Sequence, residues 1–220
     1  MNNKIIIIAE AGGNHNGSLK KAYKLVDIAK KAGADYVKFQ TFKAETLVSK
    51  NAPKAKYQKK NVKKISHYEL IKKLEMSYDM HVKIINYCKQ KKIKFLSSPF
   101  CIDSFNLLRK FNLDFIKIPS GEITNLPLLR HIRNFNNNII LSTGMSNVHE
   151  IKNALKILKN KNRKIILLHC NTEYPTPLDD INLNAMQILN KQFKLDVGYS
   201  DHSLGIQVPI IAASLGAKVI

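Results

Sequence analysis

Tryptophan is absent from the 220 residues, arginine is confined to Arg109, Arg130, Arg133 and Arg163, and 16 acidic side chains face 36 basic ones. Cysteine occurs only at Cys88, Cys101 and Cys170, with neither a CxxC pair nor a metal-finger spacing. An odd count without a secretory leader points to reduced thiols in a cytoplasm. The opening Met-Asn-Asn-Lys and its four isoleucines are too short for a signal peptide and lack a small-residue cleavage site. No apolar run reaches the roughly 18–20 residues of a bilayer span, so no membrane partner is expected. The scarcity of arginine also bears on the net charge of +20. Specific nucleic-acid interfaces favour arginine, and many add aromatic platforms. Here the charge is lysine spread over predicted helix faces, densest at residues 54–64, which reads as a solvated surface. No specific nucleic-acid partner is expected, although non-specific polyanion binding stays open.

What the chain does have is alternation. At 45% hydrophobic it can bury one substantial core, and it fits a single domain over residues 1–220. Apolar, β-branched runs predict strands at 5–9, 36–40, 95–98, 115–119, 139–143, 165–170 and 197–200, with a last one starting near Lys218. Their near-continuous hydrophobicity suits strands buried on both faces, as in a parallel sheet. Helical patterns lie between them, among others at 19–32, 80–91, 104–111, 148–159 and 207–215. Gly33, Gly144 and Gly216 fall at element boundaries. Asp103 or Ser104, and Asn147, are the expected N-caps. Seven β-then-α units plus the start of an eighth strand predict an α/β chain with a (β/α)₈ TIM barrel, incomplete at strand eight. A doubly wound sheet would usually carry GxGxxG after its first strand; AEAGGNHNGS lacks that spacing. Residues 41–74 are too long for an ordinary loop and read as a functional excursion near the barrel mouth.

Each predicted strand runs apolar and then ends in polar chemistry. The first ends in Glu10, the second in Lys38 and Gln40, and the third in Ser97 and Ser98. The fourth gives Lys117, Ser120 and Glu122, and the fifth Ser142 and Thr143. The sixth gives His169, Asn171, Thr172 and Tyr174, and the seventh Ser200, Asp201 and His202. A barrel brings all C-terminal strand ends to one face, where catalytic residues sit. One such residue alone reads as a satisfied polar group beginning a loop; seven in succession read as a site. Two lysines at a barrel mouth are costly to bury unless an anion opposes them. The hydroxyls of Ser98, Ser120, Ser142, Thr172 and Ser200 suit carboxylate or phosphate oxygens. Bland alternatives stand beside this reading: a Lys38–Glu10 ion pair across neighbouring strands, and a Lys117–Glu122 pair.

His202 is either a structural histidine or a ligand for a divalent cation, with Asp201 supporting it. His169 and Cys170 are readable as fillers of the barrel interior. His15 either hydrogen-bonds locally or touches substrate, and Asn14, Asn16 and Gly17 form a turn. His67, His81, His131 and His149 read as surface or helix residues. Tyr174, ahead of Pro175 and Pro177, is a loop-packing aromatic or a sugar-facing wall.

Seven strings, IIAEAGGNHNGS, AGADYVKFQTFKAETLVSKNAPKAKYQ, FLSSPF, FIKIPSGEITNLPLL, IILSTGM, LLHCNTEYPTP and VGYSDHSLGI, are spread over nearly the whole chain. Together they make it resemble the sialic acid synthase family, whose members include N-acetylneuraminate and legionaminate synthases. The resemblance implies a transferase of the EC 2.5.1 class that condenses phosphoenolpyruvate with an N-acetylated amino sugar and water. The products would be a nonulosonic (sialic-type) acid and inorganic phosphate. The sugar would be N-acetylmannosamine or a 6-deoxy diacetamido analogue. By position, Lys38, Ser98 and Lys117 would hold the phosphoenolpyruvate carboxylate, and Ser120, Ser142, Thr172 and Ser200 its phosphate. Some members have asparagine where Thr172 stands. Glu10, Gln40, Glu122 and Tyr174 would face the sugar, with Glu10 or Glu122 moving protons. His202 would be one of two histidine ligands for Mn2+ or Mg2+.

The resemblance also implies more chain than is present. Strand eight would continue beyond GAKVI into a stretch bearing the second metal histidine. A final helix and a small antifreeze-like domain, closing the partner's site in a homodimer, would follow. A barrel stopping at Ile220 is expected to expose two sheet edges and an apolar seam, and to be poorly stable and nearly inactive alone. Two other readings are weighed: another phosphoenolpyruvate-dependent keto-deoxy sugar acid synthase, and a degenerate barrel that binds sugar or phosphate without turnover.

Overall fold

The structure is a computed structural model and describes residues 4–53, 65–160 and 162–220. The lysine-dense stretch at 54–64 lies outside the described residues. Seven strands and the helices between them follow in the predicted order. They are β1 (Ile8–Gly12), α1 (Leu19–Lys31), β2 (Tyr36–Thr41), α2 (Ala44–Leu47), α3 (His67–Lys73), α4 (Tyr78–Gln90) and β3 (Lys94–Pro99). Then come α5 (Ile102–Leu108), β4 (Phe115–Ile118), α6 (Leu126–Arg133), β5 (Asn138–Ser142) and α7 (Val148–Leu158). The chain ends with β6 (Ile165–Cys170), α8 (Asn184–Phe193), β7 (Asp196–Ser200) and α9 (Gln207–Ser214).

All the strand pairs are parallel: β1-β2-β3 form one sheet and β4-β5-β6-β7 another, with β3 and β4 side by side. Parallel neighbours need a long crossover, which the intervening helices supply. Beyond β7, the Lys218 amide donates to Val197 O and the Tyr199 amide to Val219 O. On its other side the same segment exchanges bonds with the start of the chain: Ile6 N to Lys218 O, Ile220 N to Ile6 O, and Ile8 N to Ile220 O. The edges of β7 and of the Ile6–Ile8 backbone, expected to lie open, are therefore joined by residues 218–220. This also explains why the first strand starts later than the predicted 5–9, since the pairing with β2 begins at Ile8.

A two-residue period sorts the side chains into two cores. Val37, Phe95, Ile116, Ile139, Leu167 and Val197 pack with apolar helix residues in the larger cluster. Tyr36, Leu96, Phe115, Ile140, Ile166, Leu168 and Val219 occupy the opposite strand faces and pack on one another. Both faces are buried, hence the continuous apolar runs. Gly198 lies on the second face, where an added Cβ would be 2.3 Å from Val219 O and 2.8 Å from Leu168 Cδ2. Only glycine lets the last segment lie against β7.

Local signals explain most helix boundaries. Ser18 and Ser77 accept from the amides of Lys21 and Met80, and Ser66 forms a capping box with Glu69. Asn147 caps α7 as expected, in a capping box with Glu150. The cap of α5 is not Asp103 or Ser104 but Cys101, whose thiol accepts from the Ser104 amide. The helix therefore starts at Ile102 and gives way to a 3₁₀ turn at Arg109–Phe111.

Candidate active site

Along each strand the residues that follow the second core at two-residue spacing are polar. Glu10 continues Ile6 and Ile8; Lys38 and Gln40 continue Tyr36; Ser98 continues Leu96; Lys117 continues Phe115. Ser142 continues Ile140, Cys170 continues Leu168, and Ser200 follows Gly198. The site is thus the C-terminal extension of the second core, where apolar filling gives way to chemistry. These side chains line one cleft of about 830 Å³, together with Ser120, Thr172, Tyr174 and His202. That volume lies within the ordinary range for small-molecule sites. Glu122 is not among the lining residues. Its carboxylate accepts from Asn125 Nδ2 at 2.6 Å, at the start of α6.

The two lysines differ in their surroundings. Lys38 pairs with Glu10, its register partner on β1, so the ion-pair alternative for Lys38 is met. Lys117 is only 5% exposed. Its Nζ donates to Ser142 Oγ at 2.6 Å and to Ile118 O at 3.2 Å; the alternative pair with Glu122 does not form. Among the described residues no carboxylate forms a salt bridge with it. Burial, reinforced by the nearby Lys38 charge, lowers the Lys117 pKa to about 7. Ser98 Oγ is also buried in the cleft wall and has no hydrogen-bond partner among the described residues. A buried cation that forms no salt bridge among the described residues, in one cleft with an unsatisfied hydroxyl, is an arrangement an anion completes.

Ser120 Oγ accepts from the Gly144 amide at 3.0 Å and lies 3.1 Å from Cys170 Sγ. His202 Nδ1 is 2.6 Å from Asn171 O. A carbonyl only accepts, so Nδ1 carries the proton and Nε2 keeps a lone pair. Burial holds the His202 pKa below its ordinary value, favouring the neutral, ligating form. The Asn171 carbonyl therefore gives the support expected from Asp201, whose carboxylate instead accepts from Ser203 N and Oγ at 2.9 and 2.7 Å. His202 fits the part of one nitrogen ligand. Among the described residues no group of three His, Cys, Asp or Glu side chains converges to hold a metal. The Tyr174 ring lies against His202, with centroids 4.2 Å apart.

Several residues fall elsewhere than expected. His169 does not fill the inner core: it occupies the other strand face and its Nε2 bonds Ile181 O at 2.7 Å. Ser97 likewise faces outward, 2.7 Å from Thr41 Oγ1, which also bonds the fully buried His81 at 2.9 Å. Thr143 spends its hydroxyl on Leu168 O at 3.0 Å. His15 hydrogen-bonds locally, its Nδ1 accepting from the Gly17 amide at 3.0 Å, within a turn spanning Asn14, Asn16 and Gly17.

The apolar side of the cleft was not anticipated residue by residue. Phe42, Leu47, Ile71 and Leu74 come from the described parts of the long excursion, and Phe100 and Met145 from loops after β3 and β5. No period marks such residues in sequence, because they sit in short helices and loops.

Comparison with known proteins follows the same outline. The NeuB family model matches residues 25–220. N,N'-diacetyllegionaminic acid synthase of Campylobacter jejuni is 52% identical, the match covering 99% of this chain and 66% of that protein. The enzyme of the same name from Legionella pneumophila is 46% identical, over 97% of this chain and 62% of that protein. The chain thus spans slightly less than two thirds of the length of these relatives. The crystal structure of N-acetylneuraminic acid (sialic acid) synthetase from Leptospira borgpetersenii, in complex with citrate, superimposes with a TM-score of 0.86 at 33% identity. That match covers 99% of this chain and 72% of the other.

Proposed function

The chain belongs to the NeuB family, and on that premise we propose that it condenses phosphoenolpyruvate with an N-acetylated amino sugar to form a nonulosonic acid and phosphate. The observation that carries the reading is Lys117, a buried cation with no carboxylate partner among the described residues, facing the same cleft as the unpartnered Ser98 hydroxyl. The preferred sugar is a 6-deoxy diacetamido hexose, with N-acetylmannosamine as the competitor. Two relatives called N,N'-diacetyllegionaminic acid synthase, at 52% and 46% identity, favour the first. We take the strands, together with residues 218–220, as a (β/α)₈ barrel and residues 1–220 as one synthase domain. The two-sided bonding of residues 218–220 and the enclosed second core support this.

In this reading Lys38, Lys117 and Ser98 hold the substrate carboxylate, and Ser120, Ser142, Thr172 and Ser200 donate to its phosphate. Lys117 and the hydroxyls stay in place as charge moves toward the leaving phosphate, so the field is prearranged. The phosphoenolpyruvate methylene carbon attacks the sugar aldehyde, forming the new carbon–carbon bond. Water then adds at C2 of the resulting cation, and cleavage of the C–O bond releases phosphate. Glu10 lines the cleft and is the carboxylate for moving the proton at the sugar hydroxyl or the attacking water. Gln40 and Tyr174 face the sugar. Glu122, bonded to Asn125, acts at most from the rim. His202 Nε2 is the atom that would hold Mn2+ or Mg2+, which when bound polarises the sugar aldehyde. The assembly is proposed as a cytoplasmic homodimer.

The test is phosphate release from phosphoenolpyruvate when the full-length enzyme is incubated with each sugar separately. Release with the diacetamido sugar alone supports the preferred reading, and release with N-acetylmannosamine alone replaces the sugar. Release with neither sinks the synthase assignment.

A further inference from the structure

Cys170 continues the inner face of β6 and is 6% exposed, yet it lines the cleft rather than the core. Its Sγ stands 3.1 Å from Ser120 Oγ, and the Gly144 amide donates to the same oxygen at 3.0 Å. A serine hydroxyl has two acceptor lone pairs and one proton. With the amide on one lone pair and the thiol proton on the other, Ser120 Oγ has no further hydrogen-bond partner among the described residues, which leaves its proton for a ligand in the cleft it lines. If Ser120 donated to sulfur instead, a strong donor would be spent on a weak acceptor. An anion in the cleft selects the first arrangement.

Packing holds the three groups in this relation. A Cβ on Gly144 would lie 2.8 Å from Thr172 Cγ2, 2.9 Å from Ser120 Oγ and 3.0 Å from Cys170 Sγ. Glycine at 144 is what allows its amide, the serine and the thiol to meet. The same logic recurs elsewhere in the cleft, where Lys117 Nζ donates to Ser142 Oγ and leaves that hydroxyl its own proton. The buried Ser98 Oγ, with no partner among the described residues, independently marks the cleft as incomplete without a ligand.

We propose that Cys170 is a positioning residue of the anion site, its thiol donating to Ser120 so that the Ser120 proton is presented to the substrate phosphate. The inference rests on the reading of the cleft as a phosphoenolpyruvate site. A merely structural thiol would affect folding and leave anion affinity untouched.

The experiment is a double-mutant cycle on binding, titrating phosphoenolpyruvate and inorganic phosphate into the wild type, Cys170→Ala, Ser120→Ala and the double variant. Cys170→Ala is expected to weaken both ligands by about 5–10-fold, the worth of one charge-assisted hydrogen bond partly lost. In the Ser120→Ala background the same change should have almost no effect. Cys170→Ser, which keeps a hydrogen donor, should recover most of the affinity, and thermal unfolding of each variant separates binding from folding. Additive effects in the cycle, or unchanged affinity in a folded Cys170→Ala protein, would overturn the proposal while leaving the synthase reading intact. A wild type that binds neither ligand overturns both.

Discussion

Lys117 Nζ lies 2.6 Å from Ser142 Oγ, an ammonium on one strand donating to a hydroxyl two residues beyond its register partner Ile140 on the next. The hydroxyl carries no charge to balance it, so the ammonium has lost its water without forming a salt bridge among the described residues. Anion binding and folding therefore pull on this residue in opposite directions.

Replacing Lys117 with Met should separate the two. The variant is expected to bind phosphoenolpyruvate at least about 100-fold more weakly, because a buried charge-assisted contact is lost. Its resistance to urea should equal or exceed that of the wild type, since an apolar side chain of similar volume carries no desolvation cost. Calorimetric titration and equilibrium unfolding check the two halves. A large drop in stability would mean that the lysine is stabilising the fold.

The same residue predicts a pH dependence. The folded pKa, about 7, lies below the unfolded value, so between these two pH values the unfolded chain binds more protons. Folding stability should therefore gain from this group as pH rises from about 7 toward 10. Phosphoenolpyruvate affinity should fall over the start of the same window, as the ammonium is lost. Both trends should be flattened in Lys117→Met, measured by unfolding and titration at stepped pH.

The two carboxylates are expected to be unequal. Glu10 lines the cleft, whereas Glu122 is bonded to Asn125 outside it. Glu10→Gln should reduce turnover by about 10²-fold or more, the usual worth of a positioned acid or base. Glu122→Gln should cost far less. Phosphate-release kinetics decide, and the reverse order would return the proton-moving role to Glu122.

Arg163 gives a prediction about the scaffold alone. It is 8% exposed, and its guanidinium donates to Leu158 O at 2.6 Å and Ile132 O at 2.9 Å, near the C-termini of α7 and α6, and also to Phe135 O. Helix C-termini leave carbonyls unsatisfied, and one arginine serves two of them. Arg163→Met should destabilise the protein by about 2–3 kcal/mol, on the scale of hydrogen bonds to a charged group. Urea unfolding reads this directly, and phosphoenolpyruvate affinity under native conditions should hardly change.

Removing the imidazole at His202 should weaken Mn2+ binding by about 10–100-fold, measured by titration of the ion itself. Asp201→Ala should have a smaller effect, because the proton on His202 Nδ1 is held by the Asn171 carbonyl.

The strand order, the parallel sheets and the run of polar strand ends were all legible in the chain, because β-branched apolar runs and two-residue alternation are local consequences of backbone geometry. The two-residue period also marks Cys170 as an inward-facing residue, continuing Ile166 and Leu168. Its neighbour His169 was as visible in sequence but points to the opposite face. What the chain could not reveal is who meets whom. Glu10 finds Lys38, while Lys117 finds Ser142 rather than Glu122; Cys101, not Asp103, caps α5; and residues 218–220 join β7 to the first strand. Those pairings depend on register between segments tens of residues apart, on strand-to-strand spacing and on burial, none of which is written in a local pattern. The sequence by itself determined which side chains would reach the strand ends. Only the tertiary structure decided which of them are already satisfied there and which are left for a ligand.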